Sequence, residues 1–377
     1  MVFPGLSTLK YLLKMGGHHW WLSFLLWIVL IAPAQAATEL RVAIKNGAQQ
    51  LKIGSSTPAI VTDARGNQVG EIGAMNAYNA RTSGGNINLG SWNSNQFWVQ
   101  PTDNGYIWIG DRWYRGKTRL IKQGNGIVAV NHVDMESYLY SVVGAEMVPS
   151  WHIEALKSQA VAARTYALYK SRQSKSTLFD LDTTTATQVY KGLETETYST
   201  HDAVNSTTGE IMTHNGQPIL AVFHSSSGGH TENVEDVWSS PRPYLRGVVD
   251  YDHHAPVFQW EKTFSASELS RQLGGVGTIK SFVVERRTPR GRVKTLKVVG
   301  SRGTKTMKGG DVRKALGLRS TLFALEESGG SFRVTGRGFG HGVGLSQWGA
   351  QGLASQEISY EQILGHFYSN AAISVLR

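Results

Sequence analysis

One carboxylate stands alone in an apolar run. Glu146 follows Val142, Val143, Gly144 and Ala145 and precedes Met147, Val148 and Pro149. Burial withdraws solvation from the charged form of an acid, so the pKa of Glu146 is expected to rise toward the range of a general acid working near neutral pH. The competing reading is structural: a glutamate that caps the next helix or pairs with Lys157 or Arg164.

Histidines and serines suggest other chemistry. Ser225 to His230 is a polar, glycine-rich turn followed by Glu232, Glu235, Asp236 and Trp238, and the glycine-rich tract Gly336 to Ala350 carries His341, Ser346 and Gln347. A Ser/His hydrolase built from Ser226 or Ser346 with His341 stays open, although no G-x-S-x-G elbow is present, since Gly344 to Trp348 fails at its last position. His224, His230, His253, His254 and His341 have no recognisable ligand spacing and there is no H-E-x-x-H, which leaves only a three-histidine zinc site assembled in space. The absence of cysteine excludes a thiolate nucleophile, a disulfide framework and a Cys-ligated zinc. The glycine tract also lacks the Gly-Lys-Ser/Thr of a phosphate loop.

The elements that must hold these groups follow from pattern. Asp134 is suited to cap a helix Met135 to Val143, with Tyr138, Leu139, Val142 and Val143 inward. Glu146 then sits on a short linker that Pro149 stops from continuing as helix. Ser150 is a candidate cap for a second helix, Trp151 to Lys170, where Ile153, Leu156, Ala160, Ala163 and Ala167 recur at helical spacing. Its five alanines between 155 and 167 admit close neighbours, so this helix is expected at the centre, with Gln159 and Arg164 within reach of Glu146. Phe179 to Gly192 is threonine-rich and reads as extended, and Thr200 to Thr208 reads as helical. Ile211 to His214 and Leu220 to His224 read as hairpin strands around Asn215-Gly216. In Gly336 to Ala350 the glycines allow backbone N–H groups to face a ligand and the chain to turn sharply into a helix beginning near Ser346.

Flanking regions are read more coarsely. From Thr38 to about Asn131 short alternating runs punctuated by Gly and Asn predict strands, with an aromatic block from Phe97 to Tyr114 suited to a small β core or to stacking on sugar rings. Residues 257–335 predict helices Ser267 to Leu273 and Gly309 to Leu316 and strands Ile279 to Glu285 and Leu296 to Val299. A basic hairpin turn there, Arg286, Arg287, Arg290 and Arg292 with Lys294, reads as a solvated tip able to hold an anionic polymer. The fold class expected is α+β: a mixed domain around the alanine-rich helix, with a β-rich N-terminal portion. The divisions are 1–36, 37–125 and 126–377.

Residues 1–36 read as an export signal. Lys10 and Lys14 are their only charges, Trp20 to Ala32 is an apolar run, and Ala34-Gln35-Ala36 supplies a small-x-small cleavage site. An uncleaved anchor is the alternative, since Trp20, Trp21 and Trp27 are bulky, although the run is short of the roughly 20 residues of a membrane span. At 377 residues, 41% apolar and 18% charged, the chain is long enough for two folded domains. Its charge of +10 falls to +8 without those two lysines. In an exported protein that points to anionic wall polymers rather than nucleic acid. No heptad pattern argues for assembly, so a monomer is expected.

These stretches carry a resemblance. Val142 to Met147 with the helix Trp151 to Lys170, Phe223 to Glu232 with Glu235 to Trp238, and Gly336 to Ala350 resemble, in order, three motifs of the SpoIID/LytB family, spanning about residues 126–375. The resemblance implies a peptidoglycan-processing protein with no cofactor. SpoIID-like members are lytic transglycosylases acting on glycan strands stripped of stem peptides, and their catalytic acid matches Glu146. LytB-like members are non-catalytic enhancers of a cell-wall amidase, so an amidase is an alternative partner. Gln159, Arg164, Ser226, Ser227, His341 and Gln347 are the groups expected to position substrate. Some members hold zinc through a His-Cys pair in the segment matching Asp182 to Tyr190. Here Ala186 and Thr187 stand at those places, so no metal is expected and threonine hydroxyls are expected to shape the segment instead.

Overall fold

A computed structural model describes residues 38–376 apart from 185, 186 and 239. The expected export signal and Ala186 lie outside the described residues. Glu39–Leu376 forms one compact unit of class α+β. Among the described residues no helix is long and apolar enough to cross a membrane.

The N-terminal portion is a pair of sheets. Seven strands pair in the order Leu181–Asp182, Glu39–Ala48, Gly126–Asp134, Lys117–Gln123, Gln96–Pro101, Ala59–Thr62 and Gln68–Ile72. Six further strands, Gln50–Ser55 among them, form the second sheet. Alternation buries Phe97 and Val99 while Trp98 stays half-buried, edge-on to His132 and beneath Lys117 and Arg119. Gly126–Asp134 shows no alternation, with every residue but the last buried, the pattern of a strand covered on both faces. This strand runs directly into the first helix.

That helix, α1 (Met135–Glu146), and α2 (Ile153–Gln173) share one apolar cluster with both sheets. Every residue of α2 from Ser158 to Leu168 is buried, so the helix passes through the core with no solvated face. The alanines make that approach feasible. Helix α3 (Tyr198–Asn205) packs against α1 and α2.

The expected hairpin after α3 is half right. Asn215 and Gly216, both at positive φ (51° and 72°), turn Glu210–His214 back onto Gln217–Pro218. The return strand then ends. Phe223–His224 leaves it and pairs in parallel with Leu345–Ser346, some 120 residues later in the chain. This long-range pairing was invisible to local pattern, and it builds the site.

Between those partners come the short helix α4 (Val234–Val237) and a separate lobe. Two three-stranded antiparallel sheets, with α5 (Ala266–Leu273) and α6 (Gly309–Ala315), bury Phe264, Leu269, Leu296, Val312, Phe332 and Val334 in their own apolar cluster. Gly338 N donates to Phe258 O at 2.9 Å, so the lobe enters and leaves at one point and is inserted in the main body. The helices α7 (Gln347–Ala354) and α8 (Tyr360–Phe367) then return to α2.

Candidate active site

Glu146 is the last residue of α1, which runs one turn further than expected before Met147 breaks it in an extended conformation. Gly144 allows that extra turn: a Cβ there would lie 1.9 Å from Thr195 O. The position matters electrostatically. Exposed carbonyls at a helix C-terminus disfavour a negative charge, and burial acts in the same direction. Burial pushes the Glu146 carboxyl above its ordinary range, against the Val189 N–H, which donates to Oε1 at 2.8 Å, and the Gln347 side chain, both of which favour the ionised form. Neither Lys157 nor Arg164 pairs with it; Lys157 holds Glu154 and Arg164 holds Glu136.

The opposite wall comes from the paired segments. Ser226 and Phe339 exchange backbone hydrogen bonds of 3.0 and 2.8 Å next to the Phe223–His224 ladder. The Ser346 hydroxyl caps α7 by accepting from Gly349 N, which sets Gln347 as the first residue of that helix, beside Glu146. Positive φ at Gly338, Gly340, Gly342 and Gly344 lets the tract fold back on itself. A Cβ at Gly340 would strike the His224 side chain at 2.7 Å, and one at Gly342 the Arg292 guanidinium at 2.2 Å.

Between these walls lies a cavity of about 500 Å³. Glu146 is the one carboxylate lining it among the described residues; Tyr166, Phe223, Trp238 and Phe339 supply aromatic surface, and Arg313 a cation. Two buried polar atoms of its lining carry unused capacity among the described residues: His224 Nε2 has no hydrogen-bond partner, and Gln347 Nε2, which turns one N–H toward Glu146 without completing a full hydrogen bond, keeps its second N–H spare. The Gln347 amide thus faces the site with a spare donor. His224 Nδ1 lies 3.1 Å from Val343 O, a contact that requires the proton on Nδ1 and leaves Nε2 as an acceptor. Burial holds His224 well below the usual histidine range, so the ring stays neutral. A cavity offering an acid of raised pKa, a donor and an acceptor is equipped for a polyhydroxylated ligand.

The expected site residues divide. Glu146, His341 and Gln347 line the cavity. His341, however, uses both ring nitrogens on the main chain: Nε2 donates to Phe223 O at 2.9 Å and Nδ1 accepts from Val343 N at 3.1 Å. Burial lowers its pKa to about 4, and a free base for a serine nucleophile it is not. The free nitrogen belongs to His224, which sequence reading weighed only as a metal ligand.

Four residues stand elsewhere. Arg164 is fully buried, its Nε and Nη2 clamping the Glu136 carboxylate at 2.8 and 2.5 Å and its Nη1 donating to Glu210 O. It fastens α2 to the first turn of α1 and cannot also reach the cavity. Ser226 and Ser227, both fully buried, donate to Asp252 Oδ2 at 2.5 Å and Asp250 Oδ2 at 2.6 Å, so they hold two interior carboxylates rather than a ligand. Gln159 is fully buried in α2 with both amide atoms unpartnered among the described residues, and it does not line the cavity.

The threonine segment is self-supporting. Asp182 Oδ1 accepts from Thr184 N and from the hydroxyls of Thr184 and Thr187, each at 2.8 Å. Hydroxyls around one carboxylate, in a chain without cysteine, do not make the donor set of a zinc site.

Comparison with known proteins agrees with this organisation. A family model described as stage II sporulation protein (SpoIID) matches residues 123–214, and one for a domain of unknown function, DUF8618, matches 250–344, which takes in the inserted lobe. The stage II sporulation protein D of Bacillus subtilis is 38% identical over 268 residues, 65% of this chain and 76% of that protein. An uncharacterized protein of Brachyspira hyodysenteriae is 35% identical over 283 residues, 73% of this chain and 76% of its own length. The amidase enhancer of Bacillus subtilis is 30% identical over 291 residues, which is 63% of this chain and 40% of the enhancer.

Proposed function

Since the chain belongs to the SpoIID family, we propose that it is an exported peptidoglycan lytic transglycosylase with Glu146 as its single catalytic acid and base. The observation that carries this reading is the lone carboxylate: Glu146, raised in pKa, is the one acid lining its cavity among the described residues. Ordinary glycoside hydrolysis pairs two carboxyl groups, about 5–5.5 Å apart for retention or about 6.5–9.5 Å for inversion. A transglycosylase manages with one, because its nucleophile is the substrate's own C6 hydroxyl on N-acetylmuramic acid.

Protonated Glu146 donates to the glycosidic oxygen as the bond from C1 to that oxygen breaks. The C6 oxygen then bonds to C1, and the Glu146 carboxylate takes the C6 hydroxyl proton, which closes the 1,6-anhydro ring and restores the acid. His224 Nε2 accepts from a sugar hydroxyl, Gln347 Nε2 donates to one, and Trp238 and Phe339 offer faces to pyranose rings. Such positioning and proton transfer each contribute, the latter about 10²–10⁴-fold.

The test is incubation of the protein lacking residues 1–36 with denuded and peptide-bearing glycan strands, with mass spectrometry for 1,6-anhydro ends. Glu146→Gln should abolish their release while leaving the melting temperature within a few degrees of the parent. Full activity in that variant removes Glu146 from the chemistry. A second reading rests on the similarity to an amidase enhancer: a chain that releases nothing alone but accelerates a partner amidase on intact wall. Newly formed reducing ends would instead mark a hydrolase.

A further inference from the structure

The cavity around Glu146 does not end at Trp238. A second groove, about 460 Å³, begins there and shares Trp238, Arg313 and His341 with the first. Its far wall belongs to the inserted lobe, and its charge is one-sided. Arg286, Arg292, Lys294, Lys308 and Arg313 line it against two acids, Asp236 and Asp311. Lys294 lies 3.8 Å from Asp236, while Arg286, Lys308 and Arg313 have no ion-pair partner among the described residues.

Two lining residues carry unused hydrogen-bonding capacity. Arg292 is 1% exposed; its Nη1 has no hydrogen-bond partner among the described residues and its Nε faces only the Glu232 carboxylate 3.7 Å away, while Thr295 Oγ1 is likewise buried without a hydrogen-bond partner. Of the basic turn read from sequence as a solvated tip, Arg286, Arg287 and Arg290 are exposed as expected, but Arg292 is folded inward, its Nη2 donating to Ser227 O at 2.7 Å. Unpaired cations gathered in a concavity concentrate anions there, and guanidinium groups favour carboxylate geometry. Trp238, 45% exposed at the junction, has a face free for a sugar ring.

We infer that this groove is a carboxylate-binding subsite that continues the Glu146 cavity and receives the acidic groups borne by the next muramyl units of the strand. The inference rests on the transglycosylase reading for the identity of its ligand. The carboxylate has two sources, the lactyl group of a peptide-free muramyl residue or the acidic ends of a stem peptide, and both present the same chemistry to the groove. The inserted lobe thereby acquires a role: it supplies the cationic wall that holds the strand in register while Glu146 works on one bond.

The test measures binding without turnover. In a Glu146→Gln background, Arg286→Ala with Lys308→Ala removes two exposed cations that do not line the Glu146 cavity. Affinity is compared, by calorimetry at low salt, for denuded glycan strands, peptide-bearing strands and neutral chitooligosaccharide. The expected result is a loss on the order of tenfold for carboxylate-bearing strands, as two exposed ion pairs imply, with chitooligosaccharide unchanged. A loss confined to denuded strands identifies the lactyl group, and one confined to peptide-bearing strands the stem peptide. Unchanged affinity for both strands, an equal loss on chitooligosaccharide, or no strand binding by the Glu146→Gln parent overturns the subsite. Release of anhydro ends by the unmodified protein is scored separately. Its absence alongside the charge-dependent loss sinks the transglycosylase reading and keeps the groove; its presence with unchanged binding does the reverse.

Discussion

At the scale of single residues, the proposed chemistry turns on which form of Glu146 is populated. Its folded pKa is raised, first by burial, with Val189 N–H and Gln347 opposing. A general acid must start protonated, so kcat/KM should fall as pH rises through that raised value, and Glu146→Gln should remove the limb along with the activity. Gln347 tunes the position of the limb. Because Gln347 favours the ionised carboxylate, Gln347→Ala should move the alkaline limb to higher pH while lowering kcat/KM by about tenfold through the lost donor. A pH–rate profile of anhydro-end release for the two variants reads both effects. A limb that moves down on Gln347→Ala would contradict the assignment. His224 contributes no limb of its own near neutrality, since burial keeps it unprotonated throughout that range.

At the scale of elements, what was legible depended on whether the signal was local. The capped α1, the alanine-rich α2 and the Asn215-Gly216 turn were all readable, because capping chemistry, helical spacing and positive-φ residues are written within a few positions. Glu146 stood out because a carboxylate among apolar residues is conspicuous in any register. The partners of Arg164, Ser226 and Ser227 were not readable. Arg164 sits on the same helix as Gln159, but it points to Glu136 on α1. The two serines point to aspartates more than twenty residues further on. Side-chain direction at a crowded core is set by tertiary packing, and no periodicity encodes it.

The same contacts yield two stability predictions. Arg164→Met leaves Glu136 without its bidentate partner and should cost about 3 kcal/mol in denaturant unfolding, with little change in the pH profile of the surviving activity. A loss of activity in excess of the loss of folded protein would return Arg164 to the site. Asp250 behaves differently. Burial first, then the neighbouring Asp252, pushes its folded pKa up to about 7 from 3.8. The folded state therefore holds a proton that the unfolded chain releases between those values. The associated stability is full below about pH 4 and is lost as pH rises toward 7. Asp250→Asn should accordingly stabilise the protein more at pH 7.5 than at pH 4.5, as a difference in melting temperature from the parent. An equal shift at both values would show that Asp250 does not change its protonation between them.

At the scale of the whole molecule, the inserted lobe has its own apolar cluster, so something other than hydrophobic continuity must fix its register on the main body. Glu232 and Arg292 do this from opposite sides, each 1% exposed. Glu232 belongs to the motif beside the cavity; its Oε1 accepts from Thr288 at 2.7 Å and lies 3.7 Å from Arg292 Nε, while its own N–H donates to Gly342 O at 2.7 Å. Arg292 comes from the lobe, and burial lowers its pKa only to about 10, so it remains a cation at neutral pH. Removing it strands a buried carboxylate that burial already pushes toward protonation. Arg292→Met alone should therefore destabilise the protein by about 3 kcal/mol, and the penalty should shrink as pH falls and Glu232 takes up a proton. Replacing both partners together, Arg292→Met with Glu232→Leu, leaves no unpaired charge and should recover most of the loss. A double-mutant cycle by urea unfolding at pH 7.5 and pH 5 measures the coupling, and strictly additive losses at both values would show that the lobe is held in place by something other than this pair.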